Sequence, residues 1–87
     1  MKYKIGDYIL LDLEEIKKNN VSENFKMILP HDNYAKIIEI GNTKYPYFVK
    51  IYDDMAFFNN ESEIIRLLTP EEIIDFELKV KNYKSEL

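Results

Sequence analysis

The sequence has no cysteine and no tryptophan, a single histidine, and only two glycines and three prolines in 87 residues. Without cysteine there is no disulfide to staple the fold, no thiolate nucleophile and no thiolate to bind zinc. A small secreted scaffold ordinarily relies on such staples, so a cytoplasmic location is expected. Gly6 and Gly41 each stand alone, which excludes a glycine-rich phosphate loop. Long apolar runs are also missing. The opening MKYKIGDYILLDLEE holds only the four-residue run Tyr8–Leu11, too short for a signal-peptide core or a membrane span.

What is present describes a globular domain. Apolar residues make up 46% and charged residues 32%, a balance that can bury a core rather than stay disordered. The length suits one domain, residues 1–87, with no internal repeat and no linker. The net charge is −4, and its placement is uneven. From Asp53 to Leu78 eight acids face Arg66 alone, a local balance of −7. From Tyr34 to Tyr52 the balance is +2. A segment at −7 repels nucleic acid unless it faces away.

The clearest strand signal is Ala35–Asp53, AKIIEIGNTKYPYFVKIYD, in which two β-rich runs flank a Gly-Asn-Thr-Lys break. Pairing Ile40 with Tyr47 leaves Asn42–Tyr45 as the loop. It places Ile38, Ile40, Tyr47, Val49 and Ile51 on one face, and Ala35, Ile37, Glu39, Phe48, Lys50 and Tyr52 on the other. An isolated hairpin is marginal in water, so it must belong to a larger sheet. Lys4–Leu13, Phe25–Leu29 and Met55–Phe58 supply further short strands. Glu63–Leu68 is a strand or a helical turn, and Glu14–Asn24 is a polar surface loop with at most a turn of helix. Thr69-Pro70-Glu71-Glu72 starts a helix. Thr is the N-cap, Pro stands at the first helical position, and Glu72 is placed to complete a capping box. Ile73, Phe76, Val80 and Tyr83 then recur along one face that must dock. The expected fold is therefore mainly β, of the α+β kind. About five short strands form a small barrel or rolled antiparallel sheet over residues 1–68, and one C-terminal helix covers residues 69–85.

The order of Lys4-Ile5-Gly6-Asp7-Tyr8-Ile9, Ala35-Lys36-Ile37-Ile38-Glu39-Ile40, Tyr47–Tyr52 and Thr69–Ile73 resembles bacterial and phage SH3-like barrels. Openings of the Gly-Asp-Tyr type and central strands of the Ala-Lys-Ile type recur in such barrels. The resemblance covers most of the chain and implies the barrel fold. It does not imply recognition of proline-rich peptides, because the Ala-Leu-Tyr-Asp-Tyr stretch of signalling SH3 domains and a groove Trp are missing.

No catalytic constellation assembles. His31, flanked by Pro30, Asp32 and Asn33, reads as a turn residue with no second His or Cys to work with. Asp53 and Asp54, with Asn59, Asn60 and Glu61, offer oxygens to a divalent ion, yet the EF-hand spacing is missing and a solvated turn explains them better. Glu71 and Glu72 belong to the helix cap. No enzyme activity, cofactor or metal is expected. Seven tyrosines suit a binding surface, since Tyr combines apolar area with a polar tip, and four or five of them equally suit the filling of a small core that lacks Trp, with Tyr45 and Tyr52 the rings expected to be exposed.

The expected function is a small, acidic, non-enzymatic protein-binding module. Its contact residues are Tyr45, Phe48, Tyr52, Asp53, Asp54, Glu61 and Glu63, and its partner presents a basic surface. Size, charge and resemblance extend this to a mobile-element-encoded inhibitor of a host nucleic-acid-handling enzyme such as a CRISPR effector, the anti-CRISPR type. Two alternatives stand beside it. One is a nucleic-acid-binding barrel that uses Lys36, Lys44 and Lys50 with Tyr45, Phe48 and Tyr52. The other is a homo-oligomeric structural or regulatory subunit.

Overall fold

The computed structural model describes residues 2–19, 33–51 and 56–86, with the side chains of the last helix described through Tyr83. The sequence-predicted strand Phe25–Leu29 and the turn at His31 lie outside these residues, as do Tyr52, Asp53 and Asp54.

The chain runs β1 (Tyr8–Leu11), α1 (Leu13–Asn19), β2 (Tyr34–Ile40), β3 (Tyr47–Lys50), β4 (Ala56–Asn59), a 3-10 turn (Glu61–Glu63), β5 (Ile64–Leu67) and α2 (Pro70–Glu86). The strands form one antiparallel sheet in the order β4-β3-β2-β1-β5. This is the α+β arrangement of five short strands and a C-terminal helix that the sequence predicts. β1 through β4 pair in sequence, and β5 returns beside β1, so β4 and β5 are the edges among the described residues.

A tight turn leads into β1. The Asp7 N–H donates to the Lys4 carbonyl at 3.1 Å, and Gly6 holds φ at +94°, a value that other residues adopt only under strain. The Gly6 N–H then donates to the Ile37 carbonyl at 2.8 Å, which ties the turn to β2.

The hairpin loop closes as expected, with Ile40 opposite Tyr47 and the Gly41 N–H on the Pro46 carbonyl at 2.8 Å. Beyond that pair the register departs from the regular alternation. Ile38 is an extra residue on β2, so Glu39 faces Phe48 while Ile37 faces Val49. This β-bulge shifts the parity, so Ala35 and Ile37 enter the core in place of Ile38. One sheet face thus carries Ile9, Leu11, Ala35, Ile37, Tyr47 and Val49, all buried, together with Ile51 and Ile64. Ile16 of α1 and Tyr3 complete this core. The Tyr3 ring meets Tyr47 edge-on at 5.8 Å.

α1 replaces part of the surface loop predicted from Glu14 to Asn24. Asp12 caps it by accepting from the Glu15 N–H at 3.1 Å, and Glu14, Glu15, Lys17 and Lys18 are arranged along the helix dipole. Its one fully buried side chain, Ile16, gives no apolar periodicity to read in sequence.

α2 begins with the predicted capping box. The Thr69 N–H donates to Glu72 Oε1 at 2.8 Å, and the Glu72 N–H donates to Thr69 Oγ1 at 3.2 Å. Phe76 is buried, and Ile73, Val80 and Tyr83 are half-buried on the same side, so the predicted stripe is the docked one. It lies on the sheet face opposite the main core, where Phe76 meets Tyr8 edge-on at 5.7 Å. No helix among the described residues is long and apolar enough to cross a membrane.

Candidate interaction surface

The outer sheet face is divided by where α2 lands. Four contacts fix the helix over the β1–β2–β5 half. The Tyr8 hydroxyl donates to Glu77 Oε1, and the Tyr34 hydroxyl donates to Glu72 Oε2 at 3.4 Å. Lys79 sits 5.4 Å above the Tyr34 ring, and Arg66 of β5 forms a two-pronged pair with Glu72 at 2.8 and 3.1 Å. The electrostatics of this seam follow from the contacts. Arg66, then the Thr69 N–H, hold the Glu72 carboxyl down at about 2. Glu77, with burial second, pushes the Tyr8 phenol up, while burial followed by Glu72 pushes Tyr34 up.

Among the described residues no helix covers the β3–β4 half in this way. Phe48 and Phe58 stand directly opposite one another across the two strands, with ring centroids 4.7 Å apart and planes tilted by 38°. Phe58 is 61% exposed although it is held in a strand, while Phe48 is half-buried. Glu39 opposes Phe48 on the other side, and the half-buried Lys50 and exposed Ala56 form the next pair on the same face of the ladder. The patch is thus an aromatic centre with one acid and one base nearby, fixed by the ladder rather than by a loop.

The residues expected to touch a partner separate into three groups. Phe48 belongs to the patch, and Tyr45 is half-buried in the hairpin loop, where its carbonyl accepts from Thr43 Oγ1 at 3.0 Å. Glu61 is exposed at the start of the 3-10 turn. Tyr52, Asp53 and Asp54 lie outside the described residues. Glu63 is corrected: it is 1% exposed and cannot present its charge to a partner. Its Oε1 accepts from Asn59 Nδ2 and from the Asn60 N–H, both at 3.0 Å, and its Oε2 accepts from Asn19 Nδ2 at 3.0 Å. It therefore ties β4, the 3-10 turn and the end of α1 together. Phe58 was legible only as part of a strand. The alternation of exposure and burial over Ala56–Asn59 marks it as outward-facing once the pairing with β3 is known.

Intramolecular roles also absorb much of the acidic segment. Of its six described acids, Glu63 is buried, Glu72 is paired with Arg66, Glu77 accepts from Tyr8, and Asp75 lies 3.3 Å from Lys79. Glu61 and Glu71 remain as exposed charges. The oxygen set considered for a cation is dispersed likewise, because Asn59 turns inward to Glu63 and Asn60 Oδ1 accepts from Ser62 Oγ at 2.6 Å. Among the described residues no group of three or more His, Asp or Glu side chains is placed to hold a metal ion. No family model, no curated protein and no solved structure matches the chain.

Proposed function

We propose that this chain is a small, non-enzymatic protein-binding module that uses the uncovered β3–β4 half of its outer sheet face. The observation that carries the reading is Phe58, 61% exposed and stacked on Phe48 at 4.7 Å. A solvent-facing aromatic pair on two hydrogen-bonded strands loses little conformational entropy when a partner covers it, and aromatic anchors of this kind dominate binding energy in protein interfaces. The SH3-like reading of the fold draws support from the sequential meander whose last strand returns to the first.

The patch favours protein over nucleic acid. Phe48 and Phe58 pack against each other at 4.7 Å, so the pair forms one joint surface rather than two separated ring faces for successive bases. Lys36, one of the lysines of a stacking platform, lies 5.1 Å over the Tyr8 ring beside α2. The chain as a whole carries −4. An inhibitor that occupies the basic groove of a host nucleic-acid-handling enzyme, as anti-CRISPR proteins do, is the specific form of this reading. It rests on size, net charge and the SH3-like resemblance, with Glu61 beside β4 as the steering charge.

Affinity capture with the full chain and its Phe58→Lys and Glu61→Lys variants tests the reading. The expected result is one host protein retained by the parent chain, lost with Phe58→Lys, and weakened in a salt-dependent way by Glu61→Lys. The melting temperature should fall by no more than about 4 °C for Glu61→Lys and about 8 °C for Phe58→Lys, which loses the cross-strand ring pair, so both variants stay folded at the capture temperature. Equal capture by Phe58→Lys and the parent overturns the assignment of the surface. Salt-sensitive binding of single-stranded or duplex probes in place of a protein overturns the choice of partner.

A further inference from the structure

α2 is apolar on two opposite sides, and only one of them is docked. At about 100° per residue, Ile74 and Leu78 lie about 160° and 200° around the helix axis from Phe76, the buried residue that faces the sheet. They are 61% and 53% exposed, adjacent to each other at i and i+4, and unexplained by the packing of the domain. The same outward line continues to exposed Glu71 on the N-terminal side and exposed Lys81 on the C-terminal side. The positions 71, 74, 78 and 81 are spaced three, four and three apart, which is the seam of a two-helix coiled coil.

The charges select the occupant. If two copies of α2 cross antiparallel about a two-fold axis near residue 76, Ile74 of each copy meets Leu78 of the other. Glu71 of each copy then meets Lys81 of the other. A parallel pairing would instead set Glu71 against Glu71 and Lys81 against Lys81. The line is therefore self-complementary in one orientation only, the property an isologous interface requires. The 17-residue helix is about 25 Å long, enough to carry both apolar and both charged contacts in one crossing.

We infer that the outer face of α2 is a self-association surface, on which a second copy of this chain docks antiparallel through Ile74, Leu78, Glu71 and Lys81. The surface lies on the far side of the helix from the sheet and does not use Phe48 or Phe58. A dimer formed this way leaves the proposed partner surface open and presents it twice. With two apolar residues per copy at its centre the interface is small, and the expected dissociation constant is on the order of 100 µM.

Sedimentation equilibrium of the full chain up to about 1 mM tests the inference, since that range spans the expected constant. The weight-average mass should rise toward that of two chains. Leu78→Lys should abolish the rise. Because Leu78 is half exposed, the circular-dichroism melt should be unchanged, which separates lost association from lost folding. Glu71→Lys should weaken association about tenfold by setting like charges across both ends, and the double exchange Glu71→Lys with Lys81→Glu should restore it. A chain that stays monomeric throughout the range overturns the inference. So does a dimer that survives Leu78→Lys, a charge exchange that fails to rescue Glu71→Lys, or a dimer lost on Phe58→Lys.

Discussion

Burial of a carboxyl group is costly unless donors replace its water, and at Glu63 three N–H groups do so. Removing the acceptor leaves the buried Asn59 amide, the exposed Asn19 amide and the Asn60 backbone N–H without it. Glu63→Ala is therefore expected to cost about 3 kcal/mol in urea denaturation, and Glu63→Gln less, because one oxygen is kept. Glu61→Lys, two residues away on the surface, should stay within about 0.5 kcal/mol. Glu72 acts at the start of α2, and its contribution depends on pH. Its folded pKa of about 2 lies below the ordinary 4.5, so its stabilisation is complete above about pH 4.5 and fades as the pH falls toward 2. The melting temperature of Glu72→Gln should sit below the parent at pH 7 and converge with it between pH 4.5 and 2. Parallel curves across that window would show that the Arg66 and Thr69 contacts are not what stabilises the charge.

At the scale of elements, the bulge at Ile38 yields the sharpest prediction. Ile37→Ala should cost about 2–5 kcal/mol, since Ile37 is fully buried, whereas Ile38→Ala at a half-buried bulge should cost clearly less. A regular hairpin would reverse the two, so a pair of denaturant titrations decides the register. The sequence could not decide it. Ile37 and Ile38 are the same residue, and either parity satisfies alternation until the partners across the ladder are known. α2 was legible to within a residue because its start is written locally in Thr69, Pro70 and Glu72. α1 was not, because its only buried side chain is Ile16 and its cap, Asp12, resembles any polar loop residue. The candidate surface was half legible for the same reason. Phe48 lies on a strand that the hairpin signal defines. Phe58 acquires its meaning only from pairing with β3, and Glu63 only from the three groups that close around it.

For the whole molecule, the strongly acidic count of the segment from Asp53 to Leu78 proves a poor guide to its field. Four of the six described acids there are buried or engaged with Arg66, Lys79 or Tyr8, and Glu71 lies on the outer line of α2, so the exposed charge beside the β3–β4 patch is Glu61. The two assigned surfaces are also kept apart, one on the β3–β4 half of the sheet and one on the solvent side of α2. Phe58→Lys and Leu78→Lys combined should therefore remove partner capture and self-association independently, each by the amount seen alone.

The return of β5 to the side of β1 has a consequence for the order in which the protein is made. β1 can pair with β2 once Tyr34–Ile40 has been made, but its other edge is paired by residues Ile64–Leu67, more than fifty positions after β1. Throughout that interval a growing chain carries an apolar strand, Tyr8-Ile9-Leu10-Leu11, with one row of backbone groups unpaired. The synthesis of residues 64–86, which delivers β5 and then caps the face with α2, is thus the step that converts an adhesive nascent sheet into a finished fold, and chains that stall before it should be the ones that chaperones hold.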